Sequence, residues 1–387
     1  MPRRMLVLAL SAYLLTTWAW SLLAPLAPLL SDAAGLTPLR QALLVALPVI
    51  VGTLSRIPAG ALSDRFGART VFLLIIAVTI AALLILATAG RRSPAALLAA
   101  AGLLGVAGGT FAAAVPFVSA WFPSRRGLAI GILGLGLCGS AIGGLTAVRL
   151  ASAYGMTAPF LTTALALALL GLVVIVVMRD APHGTRAATK VGHRLAAALR
   201  LTITRQAILW YAVGFAIFVT FSTVLPVYLG NAYDLAPARA GDVMAAFVVT
   251  TVLMRPVGGW LADRLGHTRP LAVAFAAMAV AVTIQATTPP LPVLLAGVLP
   301  VVAVGIGVSG TAVVAQIGAV APAELVGLIT GVISAAGGVT GFLTPLMLAT
   351  SFSRTGGYGP AMAVLVAGAL LALTISVRAR VSAPSPV

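Results

Sequence analysis

Residues 55–70 are SRIPAGALSDRFGART, a stretch with glycines and charges that separates two long apolar runs. A second copy, MRPVGGWLADRLGHTR, occupies residues 254–269. At an offset of 199 residues the copies align Arg56 with Arg255, Gly60 with Gly259, Asp64 with Asp263, Arg65 with Arg264, and Gly67 with Gly266. This agreement predicts that the chain consists of two similar halves.

The composition predicts an integral membrane protein. Of 387 residues, 61% are hydrophobic and 8% are charged, and the mean hydropathy is +1.13. An apolar run of about 20 residues is long enough to cross a bilayer as a helix. The sequence predicts twelve such helices, at residues 5–30, 40–62, 70–90, 94–122, 127–149, 158–178, 207–229, 240–262, 271–288, 293–320, 326–350 and 358–377.

The net charge of +17 is explained by membrane topology and does not indicate nucleic-acid binding. With a cytoplasmic N-terminus, sixteen basic residues fall on the cytoplasmic side. The six on the opposite side are Arg40, Arg91, Arg92, Arg149, Arg239 and Arg354. Because cytoplasmic loops carry the excess of Lys and Arg, we expect a multi-pass protein of the plasma membrane with both termini in the cytoplasm.

The sequence offers no enzyme chemistry. Cys138 is the only cysteine, and His183, His193 and His267 fall in predicted cytoplasmic loops, where we expect them to be solvated. No cluster of ligand residues predicts a metal site, and no motif predicts a cofactor.

A hydrophilic segment divides the chain. Residues 179–205 predict a cytoplasmic linker between an N-terminal six-helix bundle at 1–178 and a C-terminal one at 206–387. A second repeat supports this division, because the run 105–131 aligns with the run 305–331. Two pseudo-symmetric bundles in one orientation predict a carrier with a central cavity that opens alternately to either side.

Over its whole length the sequence resembles the major facilitator superfamily. GALSDRFGAR at 60–69 is similar to that family's motif between helices two and three, and GWLADRLGHTR at 259–269 is a weaker copy. The resemblance implies a gate in which Asp64 meets the positive end of a neighbouring helix and Arg125 or Arg126 adds a partner. The implied gating residues are Gly60, Asp64, Arg65, Gly67, Arg69, Arg125, Arg126, Asp263 and Arg264. The alternative is a solvated turn.

Arg56 and Arg255 are the charges placed inside apolar helices. A central arginine costs roughly 2.5–3.5 kcal/mol on insertion scales, although an arginine near a helix end can extend to the interface. Recurrence at equivalent positions favours two arginines that face a shared cavity. All seven carboxylates lie in loops or at helix ends, namely Asp32, Asp64, Asp180, Asp234, Asp242, Asp263 and Glu324. Without an acid at mid-membrane, the arginines predict an anionic substrate.

These arginines give a narrower resemblance, to the nitrate/nitrite porters of that superfamily. In that family an arginine in helix two and one in helix eight clamp a planar anion, and Arg56 and Arg255 occupy these places. The glycine-rich runs at 131–144 and 331–345 resemble the family's signatures in helices five and eleven. The sequence departs from the family where Leu137 or Cys138, and Thr110, stand at positions that are usually asparagine.

Further residues are candidates for the substrate site. The resemblance adds Gly109, Thr110, Gly136 and Gly139. Aromatic rings that could enclose a flat ligand are Tyr211, Phe215 and Phe218, with Trp18 and Trp20. Hydroxyls are available from Thr110, Thr311, Ser222 and Thr223, although a helical threonine can instead bond its own backbone.

The sequence therefore predicts a secondary transporter that moves a small planar oxyanion, nitrate or nitrite, by alternating access, with exchange as the mode. Its partners would be a small inorganic anion and membrane lipid, without nucleic acid, and it would act as a monomer. Alternatives are a carrier of cyanate, a larger organic anion or a drug, and a non-transporting membrane sensor.

Overall fold

The computed structural model describes residues 1–88, 93–181 and 191–381. Arg91, Arg92 and His183 lie outside these ranges, as does part of the predicted linker, and the side chain of Thr223 is likewise outside the described set. Within the described ranges all regular secondary structure is helical.

Twelve helices of the described residues are long and apolar enough to cross a membrane. In chain order they are α1 (Pro2–Asp32), α2 (Leu39–Phe66), α3 (Ala68–Ala87), α4 (Pro94–Trp121), α5 (Arg126–Tyr154), α6 (Ala158–Val177), α7 (Thr202–Ser222), α8 (Arg239–Leu265), α9 (Thr268–Ala286), α10 (Leu291–Val320), α11 (Ala323–Thr355) and α12 (Gly359–Ala379). This confirms the predicted all-helical, twelve-span fold class and a multi-pass membrane protein.

The lipid-facing side of a span is visible in α6. Leu165, Leu169, Leu172 and Val176 recur every three to four residues and are exposed. Thr163, Leu167 and Val174 on the same helix are buried. An apolar face without protein cover suits hydrocarbon, where the backbone must form its hydrogen bonds inside the helix.

Glycine ends the two motif helices, α2 and α8. Gly67 has φ +88° and Gly266 has φ +76°, values that favour glycine because a Cβ would be strained there. Both helices contain a proline, Pro58 in α2 and Pro256 in α8. The helices continue a few residues beyond the predicted ends at 62 and 262, and Asp64 and Asp263 lie in their last turns, at helix ends as predicted.

Several spans contain irregular turns. A 3₁₀ turn interrupts α4 at Val106–Gly109 and α5 at Leu135–Leu137. A π turn, Thr220–Val224, follows the α-helical part of α7, and the helix then continues as Leu225–Tyr233. Wide π turns are frequent at functional sites.

The chain packs as two compact units. Unit 1 comprises Met1–Pro123, Ile132–Ala198 and Ala321–Ala335, and its core contains Phe72 and Phe160. Unit 2 comprises Ser124–Gly131, Leu199–Val320 and Ala336–Val387. Its core contains Trp210, whose indole donates to the carbonyl of Ala372 at 3.1 Å. The domain boundaries 1–178 and 206–387 stay a prediction.

A short helix precedes α7. It spans Val191–Arg200 and is called the linker helix below. Most of it belongs to unit 1. Arg194 is its buried charged residue, whereas His193 and Arg200 are exposed.

Candidate functional site

Arg56 lies on α2 in unit 1 and is half-buried. One terminal nitrogen of its guanidinium donates to the carbonyl of Ser334, and its Nε has no hydrogen-bond partner among the described residues. The backbone of α11 crosses closely here, because a Cβ on Gly331 would lie 2.9 Å from Ile57 Cα. The glycine therefore permits a close approach, and the Arg56 side chain reaches a carbonyl of the neighbouring helix.

Arg255 lies on α8 in unit 2 and is 8% exposed. Its Nε has no partner, and its side chain has no hydrogen bond to any residue among those described. A Cβ on Gly131 would lie 2.7 Å from Pro256 Cα, so a glycine of α5 faces this arginine as Gly331 of α11 faces Arg56. Both arginines thus occupy the same kind of helix crossing.

Neither arginine pairs with a carboxylate of the described residues. The ion pair found within the described ranges joins Asp64 and Arg194 and leaves Arg56 and Arg255 out. Removing a guanidinium from water without a counter-charge costs free energy. Bound anion would supply that charge, and the planar fork of donors matches a planar oxyanion.

Asp64 caps the first turn of the α-helical part of α11, which begins at Val326. One carboxylate oxygen accepts from the backbone N–H of Gly327 at 2.9 Å, and the other accepts from that of Leu328 at 2.9 Å. A carboxylate at a helix N-terminus satisfies unpaired N–H groups and complements the helix dipole. Asp64 is 6% exposed, so it is not a residue of a solvated turn.

The charge that pairs with Asp64 comes from the linker helix. Arg194, 3% exposed, donates to Asp64 Oδ2 at 2.8 Å and to the carbonyl of Ala61 at 3.3 Å. It also donates to the carbonyl of Glu324. The predicted partners, Arg125 and Arg126, do not occupy this place: Arg194 does.

Asp263 repeats the helix cap in unit 2. Its two oxygens accept from the backbone N–H groups of Gly127 and Leu128, both at 2.8 Å, in the first turn of α5. Arg126 donates to the carbonyl of Gly318 at 2.6 Å, and Arg125 is exposed.

His267 lies two residues beyond the end of α8 and is half-buried, not freely solvated as the sequence suggested. Burial lowers the pKa of its imidazole from 6.5; nearby Asp263 acts to raise it and Arg126 to lower it.

The remaining motif residues lie at the helix ends. Arg65 and Arg264 are exposed, and their guanidinium groups lie over the rings of Phe66 and Trp260 at 5.1 Å and 4.5 Å. Asp180 packs against Gly67 and accepts from the backbone N–H of Arg69 at 3.1 Å, in the first turn of α3. The Arg69 side chain donates to the carbonyl of Ile175.

Gly60 and Gly259 bring helices together. A Cβ on Gly60 would collide with the carbonyl of Gly327, and a Cβ on Gly259 would collide with that of Gly127. The contact is the same in both units, and it places each aspartate beside the helix that it caps.

Four candidates from α4 and α5 serve packing within unit 1. A Cβ on Gly109 would lie 2.9 Å from Ala59 Cβ, and Gly136 and Gly139 face the ring of Tyr13 and the backbone of Leu14. Thr110 is 0% exposed, and its hydroxyl donates to the carbonyl of Ala107 at 2.9 Å. Each of these four residues is therefore in contact with another part of unit 1.

Three aromatic candidates form a ladder along α7. The rings of Tyr211 and Phe215 are 6.1 Å apart and stacked, and those of Phe215 and Phe218 are 5.9 Å apart. Tyr211 and Phe215 pack on Gly337 and Gly341 of α11. The three rings are half-buried, so one side of each is covered.

The other polar and aromatic candidates have various surroundings. Thr311 is buried in unit 2, and Ser222 is half-buried. In unit 1 the Trp18 indole donates to Thr146 Oγ1 at 3.2 Å, and that of Trp20 donates to the carbonyl of Pro48 at 3.1 Å. The tryptophans are thus held by hydrogen bonds inside their unit.

Sequence reasoning missed Arg194 and Ser334. Arg194 is one of several basic residues in the predicted linker, and the amphipathic pattern of residues 191–200 is the signal that could have identified it. No signal in the sequence marked the carbonyl of Ser334 as a partner of Arg56, because any helical residue carries one. Among the described residues no group of ligand side chains is placed to hold a metal ion.

Comparison with known proteins identifies the family of the chain. Residues 9–345 match the Major Facilitator Superfamily. The chain is 37% identical to the "Probable nitrate/nitrite transporter NarK2" of Mycobacterium tuberculosis over 372 residues, covering 95% of this chain and 94% of that protein. It is 32% identical to the "Nitrite extrusion protein" of Bacillus subtilis, covering 82% of this chain and 79% of that one.

A solved structure shows the same fold. The human organic anion transporter MFSD10 superposes with a TM-score of 0.81 at 18% identity, covering 97% of this chain and 99% of that one. The relatives confirm the family resemblance and a transporter rather than an enzyme. With a family match over most of its length and twelve membrane-spanning helices, the chain belongs to the major facilitator superfamily.

Proposed function

We propose that this protein transports nitrate or nitrite across the plasma membrane by alternating access. The observation that carries the proposal is Arg255, a buried guanidinium with no partner among the described residues. A relative named as a probable nitrate/nitrite transporter, at 37% identity, and one named as a nitrite extrusion protein, at 32%, support the choice of anion.

Arg56 and Arg255 are proposed to bind the anion. The sequence repeat is the basis for assigning both to one substrate, and the equivalent glycine crossings at Gly331 and Gly131 support their equivalence. Binding would draw the Arg56 guanidinium from the Ser334 carbonyl, a neutral acceptor, to a charged one. Hydrogen bonds with an ionised acceptor are roughly twice as strong as neutral ones.

The remaining site candidates differ in what they can still offer. Gly109, Gly136 and Gly139 bring helices together, and Thr110 has a satisfied hydroxyl, so we propose that these four shape the site without binding the anion. Tyr211, Phe215 and Phe218 keep half-buried rings and are proposed as walls beside it, with Thr311 as a hydroxyl donor.

Exchange follows from electrostatics. An empty carrier with two cationic side chains and no nearby acid must desolvate both charges in order to close, whereas bound anion neutralises one. The loaded form would therefore change orientation faster than the empty form, so that uptake of one anion is coupled to release of another.

The aspartates Asp64 and Asp263 are proposed as gate residues, because each holds the start of one helix through two backbone hydrogen bonds. Opening would break these bonds. The distribution of sixteen basic residues against six supports cytoplasmic termini. We propose a monomer, with lipid as its surroundings.

Transport by reconstituted protein tests the proposal. Proteoliposomes loaded with nitrite should take up labelled nitrate rapidly, and unloaded ones slowly. Arg56→Lys and Arg255→Lys should each lower the rate about tenfold or more, because a lysine keeps the charge but loses the planar fork. Arg354→Lys, an exposed arginine, is the matched control.

Two results would contradict the proposal. Full activity in both lysine variants would exclude a planar clamp, and fast uptake without an internal anion would exclude obligatory exchange. The same assay with cyanate and small carboxylates distinguishes the alternative substrates, and absence of any flux would favour the sensor.

A further inference from the structure

A polar cavity of about 220 Å³ lies inside unit 2. Its walls come from the end of the helix Leu225–Tyr233, the end of α9, the turn after α11 and the start of α12. Since α9 begins at Thr268, near Asp263, and ends at Ala286, the cavity lies at the opposite membrane face of this unit from the gate aspartate. The proposed transport function does not use it.

Gln285 is the unusual residue of this cavity. It is 2% exposed and lines the cavity, yet neither its amide nitrogen nor its amide oxygen forms a hydrogen bond of normal geometry with any described residue. A buried polar atom that is left unpaired has lost its hydration without a compensating hydrogen bond. One molecule bound in the cavity could donate to the amide oxygen and accept from the amide nitrogen of this side chain.

A second buried polar group lies beside it. The Tyr228 hydroxyl lies near the side chains of Gln285, Thr288 and Tyr233, but it forms no hydrogen bond of normal geometry with a residue in the described part of the chain. Thr288 has φ +49°, a strained value for a non-glycine residue that recurs at binding sites. The unpaired groups therefore cluster at one end of the cavity.

The walls favour a flat, uncharged ligand. The rings of Phe352 and Tyr358 are stacked at 4.9 Å, and Tyr228 meets Tyr358 edge to face at 5.4 Å. Asn231 donates to the Tyr358 hydroxyl at 3.2 Å. None of the described residues that line the cavity is charged, so an ion would lose its hydration there without gaining a counter-charge from them.

We propose that this cavity binds a small, planar, uncharged molecule that carries an N–H donor next to a carbonyl acceptor, as in an aromatic primary amide. One such group would form two antiparallel hydrogen bonds with the Gln285 carboxamide and satisfy both of its atoms. The ring would lie against Tyr358. The volume is about seven times that of a liquid water molecule, which leaves room for such a ligand.

Three matched probes test this proposal on the full-length protein. Benzamide has the adjacent donor and acceptor, acetophenone has the acceptor alone, and benzoate has two acceptors and a charge. Benzamide should raise the midpoint of thermal unfolding in a saturable way. Acetophenone and benzoate should each bind at least about tenfold more weakly than benzamide. Gln285→Leu should abolish the benzamide shift, and Tyr228→Phe should weaken it.

Gln316→Leu is the control, because Gln316 is a buried glutamine of α10 with an unpaired Oε1 that does not line the cavity. It should keep the benzamide shift. An equal shift in Gln285→Leu, preferential binding of benzoate, or ordered water alone in a structure with benzamide would each overturn the proposal. Nitrate stabilisation in the same samples tests the anion site separately, because it should survive in Gln285→Leu.

Discussion

The two copies of the border motif hold their helices in the same way but balance their charges differently. Asp64 in unit 1 and Asp263 in unit 2 each accept two backbone hydrogen bonds, at 2.9 Å and 2.8 Å, from the first turn of a neighbouring helix. Asp64 is buried and paired with Arg194. Asp263 is exposed, and no ion pair joins it to a residue of the described ranges.

The difference shows which contacts the repeat duplicated. The aspartate, the glycine crossing and the capped helix occur in both halves, so they belong to the repeated unit. Arg194 belongs to the linker helix, which lies between the two motif copies in the chain. A buried carboxylate requires a counter-charge, whereas an exposed one is balanced by water. Because of the linker helix, the stability of the first motif depends on an ion pair more than that of the second motif does.

The largest expected effect follows removal of Arg194. Arg194→Ala leaves Asp64 buried without its partner and should lower the free energy of unfolding by about 3–5 kcal/mol. Thermal and denaturant unfolding of the purified protein measure it. Arg200→Ala, on the same helix and exposed, should change it by less than about 0.5 kcal/mol. Partial recovery in the double variant Arg194→Ala/Asp64→Asn is expected, and its absence would mean that the lost packing, not the charge, causes the effect.

The glycine crossings should be equally sensitive in both copies. Gly60→Ala and Gly259→Ala each force a methyl group against a backbone carbonyl, at an expected cost of about 1–3 kcal/mol and with loss of transport. Gly144→Ala is the control, because a Cβ there meets no atom within 4 Å. A loss in only one of the two variants would show that the copies differ in packing as well as in charge.

Removal of the helix-capping aspartates should also distinguish the two copies, with smaller losses in the free energy of unfolding. Asp263→Ala loses two hydrogen bonds at a helix start and should cost about 0.5–2 kcal/mol. Asp64→Ala should cost more, because it also leaves Arg194 buried without a partner. Comparing the two losses in the free energy of unfolding measures how far the two copies differ. Equal losses would contradict the role given to Arg194.

The smallest effect concerns pH in unit 2. Because burial lowers the pKa of His267 below 6.5, the unfolded chain binds a proton more readily than the folded one. Stability should therefore be fully present above pH 6.5 and decline as the pH falls below it. His267→Gln should reduce the difference between thermal midpoints at pH 7.5 and pH 5.5. An unchanged difference would exclude His267 as its source.

Much of the fold could be predicted because hydropathy is a local property. Twelve apolar runs predicted twelve helices, and each is present, with ends shifted by a few residues where helices continue into the motifs. The sequence repeat also predicted that Arg56 and Arg255 would occupy equivalent places, and both face a glycine of a crossing helix. Their joint binding of one anion stays a prediction.

By itself, the sequence determined the membrane class, the number of spans, the family and the positions of its charged residues. The tertiary structure decided which groups meet. Asp64 and Arg194 are 130 residues apart in the chain, and no local pattern distinguishes Arg194 from Arg125 or Arg126 as the partner. Likewise, only packing decided that Gly136 and Gly139 contact α1, and that the Gln285 side chain forms no hydrogen bond of normal geometry with the described residues. Apolar periodicity is encoded residue by residue, whereas the pairing of buried polar groups depends on the path of the whole chain.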